Sequence, residues 1–232
     1  MTTRLVGLCS MAPHAVLAEL MGVVARDHGL SVDFRAGGGV AIADEVRGGA
    51  VGDVLVLAAE ALERLTEEGL LLPGSARPLF VSEVVAAAPA HVPAPAIGTE
   101  AELREAAERA RTIAISTGPS GVAIRALLAR WGVADAWAPR IVEAPPGVPV
   151  GSMLTRGDAD LGFQQLSELA GLDGVQVLGP LPGSSAIRST FGGAVLRSSS
   201  QPGPAGRVLD LVAGLSPIVE AHGMTPTGPR RR

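Results

Sequence analysis

Along the chain, short apolar runs of strand length alternate with segments whose apolar positions recur at helical spacing. The strand-like runs are residues 5–8, 30–34, 54–57, 112–115, 161–163 and 175–178, with amphipathic stretches between most of them. Short solid apolar runs fit strands covered on both faces, whereas a recurrence every three to four residues marks one buried helix face. Strands alternating with helices predict parallel sheets flanked by helices, an α/β class. Local signals place several helix ends. Thr99-Glu-Ala-Glu102 is a capping box, the helical run 62–68 stops at Gly69, and Pro13 suits a first helical turn opening after Ser10. The three prolines of 89–98 read as a linker or lobe boundary.

The first apolar run has a competing reading, an export signal cut near Cys9. Local chemistry disfavours it: the apolar stretch is broken by Pro13, His14 and Glu19, and Leu8 stands where a lipoprotein site wants a small residue. Strand, tight loop and helix account for more of the letters, and the expected compartment is the cytoplasm. A single cysteine, which cannot form an internal disulfide, is compatible with that. No apolar stretch approaches the roughly 20 residues of a membrane helix, so no membrane association is expected.

Composition narrows the function classes. With 47% hydrophobic residues, 30 Gly and 18 Pro, the chain reads as a folded α/β protein with many turns. A formal net charge of −4 argues against general nucleic-acid binding, and Arg230-Arg231-Arg232 reads as a solvated tail. Lysine is absent, which excludes Schiff-base chemistry and a phosphate-loop lysine. His28, His91 and His222 are too scattered for a metal, and neither metal nor cofactor is expected.

An internal echo carries more information than any single motif. Ser10-Met-Ala-Pro13 and Ser116-Thr-Gly-Pro119 each follow a strand and open a helix. Farther on, Gly52-Asp53 and Gly157-Asp158 each follow a helical segment, 41–47 and 148–156, and precede a strand. Two lobes of the same plan follow, with the loops 10–12, 57–59, 116–121 and 163–165, plus Ala36-Gly-Gly-Gly39, expected at one ligand cleft where helix N-termini expose unpaired N–H groups.

These segments, together with the ending Val219-Glu-Ala-His-Gly-Met-Thr-Pro226, resemble the type II periplasmic-binding-protein fold, in its molybdate-binding-like branch of extracellular solute-binding proteins. The resemblance covers nearly the whole chain. It implies a discontinuous first lobe of 1–84 and 190–232, a second lobe of 85–189, crossings near 81–88 and 189–195, and a helix over 204–215 on the first lobe. It also implies that hydroxyls and backbone N–H groups hold the ligand, at Ser10, Gly38, Gly39, Ala58, Ala59, Ser120 and Gly121. Met11, Ser116, Gln164 and Gln165 belong to the same loops. Two departures weigh against molybdate itself: Gln164-Gln165-Leu-Ser-Glu168 stands where oxyanion binders present a different loop, and Gly37-Gly38-Gly39 replaces a hydroxyl-rich turn.

The expected activity is cytoplasmic binding of a small anion, with an organic carboxylate preferred. One alternative is a cofactor-free isomerase or tautomerase of a small unsaturated or keto acid; another is the oxyanion-binding component of a transporter. Each chemical reading has a plainer counterpart. Ser10 and Ser120 are helix caps or also ligand donors. Asp53 and Asp158 are turn or cap residues. Cys9 is a thiolate at a helix N-terminus or a packed thiol, and His14 a base or a capping histidine. Glu168 and an inward-turned Asp53 are further candidate bases. Arg125 and Arg188 each have the geometry to clamp a carboxylate, with Arg188 favoured and Arg125 expected to face solvent. Trp131 and Trp137 read as packing residues.

Overall fold

A computed structural model describes residues 3–145 and 148–227, and the arginine run 230–232 lies outside them. The chain divides into two compact units, Met1–Ser82 with Thr190–Arg232, and Glu83–Ser189.

The first unit opens with β1 (Thr3–Ser10), α1 (His14–His28), β2 (Leu30–Gly37), α2 (Gly39–Arg47), β3 (Val54–Ala58) and α3 (Ala59–Glu67). The segment that competed as an export signal is therefore the strand β1, flanked in parallel by β2 and β3. Ser10 lies opposite Gly37 and Cys9 opposite Val56. Period-two alternation sorts the faces. Leu5 and Cys9 of β1, with Val54 and Val56 of β3, pack with α1 residues, whereas Leu8, Leu55 and Leu57 pack with Ile42 and Leu65 of α2 and α3. Ser10 is the next position after Leu8 on the α2/α3 side. The chain leaves this unit in β4 (Arg77–Pro89).

The second unit continues with α4 (Glu100–Arg109), β5 (Ile113–Ile115), α5 (Pro119–Arg130), α6 (Ala134–Trp137), β6 (Ile141–Glu143), α7 (Val150–Arg156), β7 (Leu161–Gln165), α8 (Leu166–Leu169) and β8 (Val175–Pro180). Here β5 runs parallel to β6 and β7, while β4 pairs antiparallel with β7 and β8. Ile113, Ile115 and Phe163 face the α4/α5 core, and Ala114 faces Val150, Leu154 and Leu169 of α7 and α8. The return strand β9 (Arg188–Val195) pairs antiparallel with β3, and α9 (Pro202–Val212), α10 (Ser216–Ala221) and β10 (Met224–Pro226) complete the first unit.

The capping box forms as expected: the Thr99 side chain accepts from Glu102 N–H, and Glu102 accepts from Thr99 N–H. Three expectations need correction. The proline-rich stretch 89–98 is no boundary: it lies inside the second unit, with Ile97 buried in that unit's core. The antiparallel strands β4 and β9 make each sheet mixed, because strands that pass between units need no crossover helix. The echo also pairs different aspartates. Asp53 precedes β3, accepts from Val6 N–H and donates its own N–H to the Val6 carbonyl. Asp160 precedes β7 and makes the same two bonds with Thr112. Val6 and Thr112 each stand four residues before the echoed serines, so Asp160 is the counterpart of Asp53, while Asp158 is exposed and pairs with Arg156.

Candidate binding site

In an open α/β sheet the carboxyl ends of parallel strands meet the N-termini of the following helices, so that is where unpaired donors collect. In the first unit this edge holds Ser10, the glycine turn and the start of α3. Ser10 is 7% exposed and its hydroxyl has no hydrogen-bond partner. It caps nothing: α1 begins after Pro13 without a side-chain cap. A Cβ on Gly39 would stand 3.6 Å from the Ser10 Cβ, which puts the first residue of α2 directly beside that hydroxyl, and Gly38 is open on all sides. The amides opening α2 lack intrahelical partners. Ala58 is buried and serves as N-cap of α3, whose first residue is Ala59. Met11 is exposed, and His14 is half-buried at the first position of α1.

Cys9 is the packed thiol of the two readings. It has no exposed surface, and burial pushes it up to about 12, so at neutral pH it supplies neither a thiolate nor a base. Asp53 is committed to the β1 backbone and to the Ser199 hydroxyl, which donates at 2.6 Å.

In the second unit the same edge is more polar. The hydroxyls of Ser116 and Ser120 stand 2.7 Å apart, so one donates to the other and one O–H proton is left to give. Ser120 is not a cap either; the N-cap of α5 is Gly118. A Cβ on Gly121 would lie 1.7 Å from the Ser116 carbonyl oxygen, so only glycine lets α5 start this close to β5. Ser116 and Gln164 each stand one residue beyond the last paired residues of the β5–β7 ladder, Ile115 and Phe163, at the same strand edge. Gln164 is 3% exposed; its Oε1 accepts from Val150 N–H at 2.8 Å, and its Nε2 donates to Glu168 at 2.8 Å. Desolvation raises the half-buried Glu168 carboxyl to about 7, partly opposed by the Gln164 hydrogen bond. Gln165 donates from Nε2 to the Ser189 hydroxyl at 2.8 Å, while its Oε1 and the Ser167 hydroxyl are buried without partners.

The arginines behave otherwise than a ligand clamp requires. Arg188 is exposed and donates to Glu83 at 2.7 Å, beside a cavity of about 320 Å³ that both residues line. Arg125 pairs with Glu143 on the surface. Trp131 and Trp137 pack edge to face with ring centroids 6.3 Å apart, as packing residues do. Among the described residues no cluster of His, Cys, Asp and Glu is built to hold a metal ion, and no helix is long and apolar enough to cross a membrane. Sequence reasoning missed Asp160, Ser167 and Ser189. The sequence placed the loops of Ser116 and Gln164 together, and the Gln164 hydrogen bond adds Glu168 to that edge.

Residues 5–225 match the family model of the bacterial extracellular solute-binding proteins. An aconitate isomerase from a Pseudomonas species is 29% identical over 177 residues, 75% of this chain and 67% of that enzyme. Among solved structures, the periplasmic molybdate-binding protein of Azotobacter vinelandii superposes with a TM-score of 0.80 at 24% identity, over 95% of this chain and 98% of that one. The sulfate-binding protein SubI of Mycobacterium tuberculosis superposes with a TM-score of 0.77 at 15% identity, over 98% and 88%. Its two-lobe α/β fold is that of the type II periplasmic binding proteins.

Proposed function

The chain belongs to the bacterial extracellular solute-binding proteins, and from that premise we propose that it binds a small organic carboxylate through donors at the carboxyl ends of its parallel strands. The observation that carries this reading is the Ser10 hydroxyl, buried and unpartnered beside the amides that open α2. A buried hydroxyl without a partner costs about 1–3 kcal/mol, and an anion that accepts from it recovers that cost. The neighbouring turn, Gly37-Gly38-Gly39, offers backbone amides without further hydroxyls, and two adjacent amides suit the two oxygens of a carboxylate. In the second unit the Val150 amide that opens α7 is already taken by Gln164 and is not free for a ligand. The likeness to an aconitate isomerase, an enzyme named for a carboxylic acid, points the same way.

Thermal shift against a panel of mono- to tricarboxylates with molybdate and sulfate tests it. A carboxylate at a hundredfold excess over its dissociation constant should stabilise the fold by about 2.7 kcal/mol. Stabilisation by the inorganic oxyanions alone would overturn the reading.

A second reading, isomerisation of an unsaturated polycarboxylate, is favoured by that same relative and by a half-buried carboxyl, Glu168, poised near neutrality at the strand edge. Moving a double bond next to a carboxylate needs one base and a donor set for the developing enolate oxygen, and no cofactor.

A further inference from the structure

The two units repeat one plan, and where they differ shows what packing does not require. Ala58 and Gln165 are the N-caps of α3 and α8 with nearly the same backbone angles, φ −57° and ψ 143° against φ −60° and ψ 138°. Counting from these caps, Gln164 corresponds to Leu57, and Glu168 to Ala61. Leu57 is fully buried in an apolar core. The same position in the second unit carries a buried carboxamide that donates to a carboxyl four residues on. The fold therefore accepts an apolar pair here. Gln164 offsets its desolvation by accepting from Val150 N–H, whereas Glu168 carries a desolvation that packing does not explain.

The carboxamide is also fixed in its orientation. Only an oxygen can accept from the Val150 N–H, so Nε2 must point at Glu168, and the carboxyl is held at the strand edge where Gln164 and Ser116 both stand. At the same junction of β7 and α8, Gln165 Oε1 and Ser167 Oγ are buried without partners. Helix α8 packs against α7, β7 and β8. These elements hold one charged side chain, Arg156 at the last position of α7, and it pairs with Asp158. Among the described residues of these elements, no free cation stands to hold Glu168 ionised.

We infer that Glu168 is the catalytic proton carrier of an allylic isomerisation of an unsaturated polycarboxylate, with Gln164 as its positioning residue. The inference rests on the second reading above. In the step, the Glu168 carboxylate takes a proton from the saturated carbon next to the double bond. The C–H electron pair becomes the new double bond, and charge is held for a moment on the substrate's carboxylate oxygens. The old π pair then takes the proton back from Glu168 at its far carbon. Substrate and product are isomers, the carboxylate is regenerated, and no oxidant or reductant enters. Burial, which raises Glu168 to about 7, lets both of its forms take part at neutral pH.

The test uses cis- and trans-aconitate as probes, with thermal shift for binding and proton NMR in deuterated water for exchange and isomerisation. Wild type should bind one of them and exchange its allylic protons. Glu168→Gln, which keeps the shape and a partner for Gln164, should bind within about threefold yet exchange at least 100-fold more slowly, the scale of general acid–base catalysis. Gln164→Leu, the residue of the first unit, should lower kcat more than it changes KM and move the pH midpoint of the rate away from 7. Exchange by Glu168→Gln at the wild-type rate overturns the assignment. Wild type that binds without exchange also overturns it but leaves carboxylate binding standing, and no binding of either probe overturns it too, while carboxylate binding is then decided by the wider panel.

Discussion

Replacing Ser10 by alanine separates a ligand donor from a structural hydroxyl through opposite signs in two measurements. In the protein without ligand the hydroxyl is buried and makes no hydrogen bond, and its side chain caps no helix. Removing it deletes an unmet desolvation cost of about 1–3 kcal/mol, less the few lost contacts of one oxygen atom. The expected change is a gain of up to about 1 kcal/mol, or none. A carboxylate accepting from that hydroxyl makes a charge-assisted bond worth about 1.5–3 kcal/mol, so its affinity should fall roughly 10- to 150-fold. Urea denaturation without ligand and calorimetric titration with the best carboxylate from the panel give the two numbers. A variant that loses stability while keeping its affinity would show that Ser10 is structural, and the site would have to be sought elsewhere.

Two further outcomes follow from the second unit. Gly121→Ala places a methyl 1.7 Å from a backbone carbonyl that cannot rotate away, so α5 must shift off β5. Denaturation should show a loss of at least about 3 kcal/mol, and a loss below about 1 kcal/mol would refute this close approach. Glu168 governs a segment of the pH dependence. Its ordinary value is 4.5 and its folded value about 7, so between these the unfolded chain is ionised while the folded one keeps its proton. The folded state then binds more protons, and stability declines as pH rises from about 4.5 to 7, by about 1–2 kcal/mol after allowance for partial exposure. Urea midpoints at pH 5 and pH 8 should show that decline in wild type and lack it in Glu168→Gln; parallel curves would refute it.

Much of the fold was legible because most strands are short apolar or alternating runs, and 5–8, 30–34, 54–57, 112–115, 161–163 and 175–178 all fall within or on strands. The passage strands β4 and β9 were placed, near 81–88 and 189–195, by the family resemblance and not by the apolar pattern. The alanines of β4 carry no β-branching to mark them, and β9 owes its place to Gly192 and Gly193, whose lack of a Cβ makes room for Leu62, Leu79 and Leu209. At the site, loop position was readable while bonding was not. Ser10 and Ser116 look alike in sequence, each three residues before a proline, yet the first hydroxyl is left unpaired and the second is paired with Ser120.

The echo explains why the polar relay escaped notice. Matching Gly52-Asp53 with Gly157-Asp158 by their letters aligns residues that do different work, because α7 ends directly at Gly157 whereas residues 48–52 separate α2 from its aspartate. The hydrogen bonds set the register instead, pairing Asp53 with Asp160 through their common hold on the neighbouring strand. With that register Leu57 falls on Gln164 and Ala61 on Glu168, and a contrast invisible in the one-letter repeat emerges: an apolar pair in one unit, a carboxamide and a carboxyl in the other. A duplicated scaffold thus supplies its own control. Of the two polar side chains that the second unit places where the first has leucine and alanine, Gln164 has the Val150 amide to satisfy, whereas Glu168 carries a proton near neutrality that the fold itself does not require.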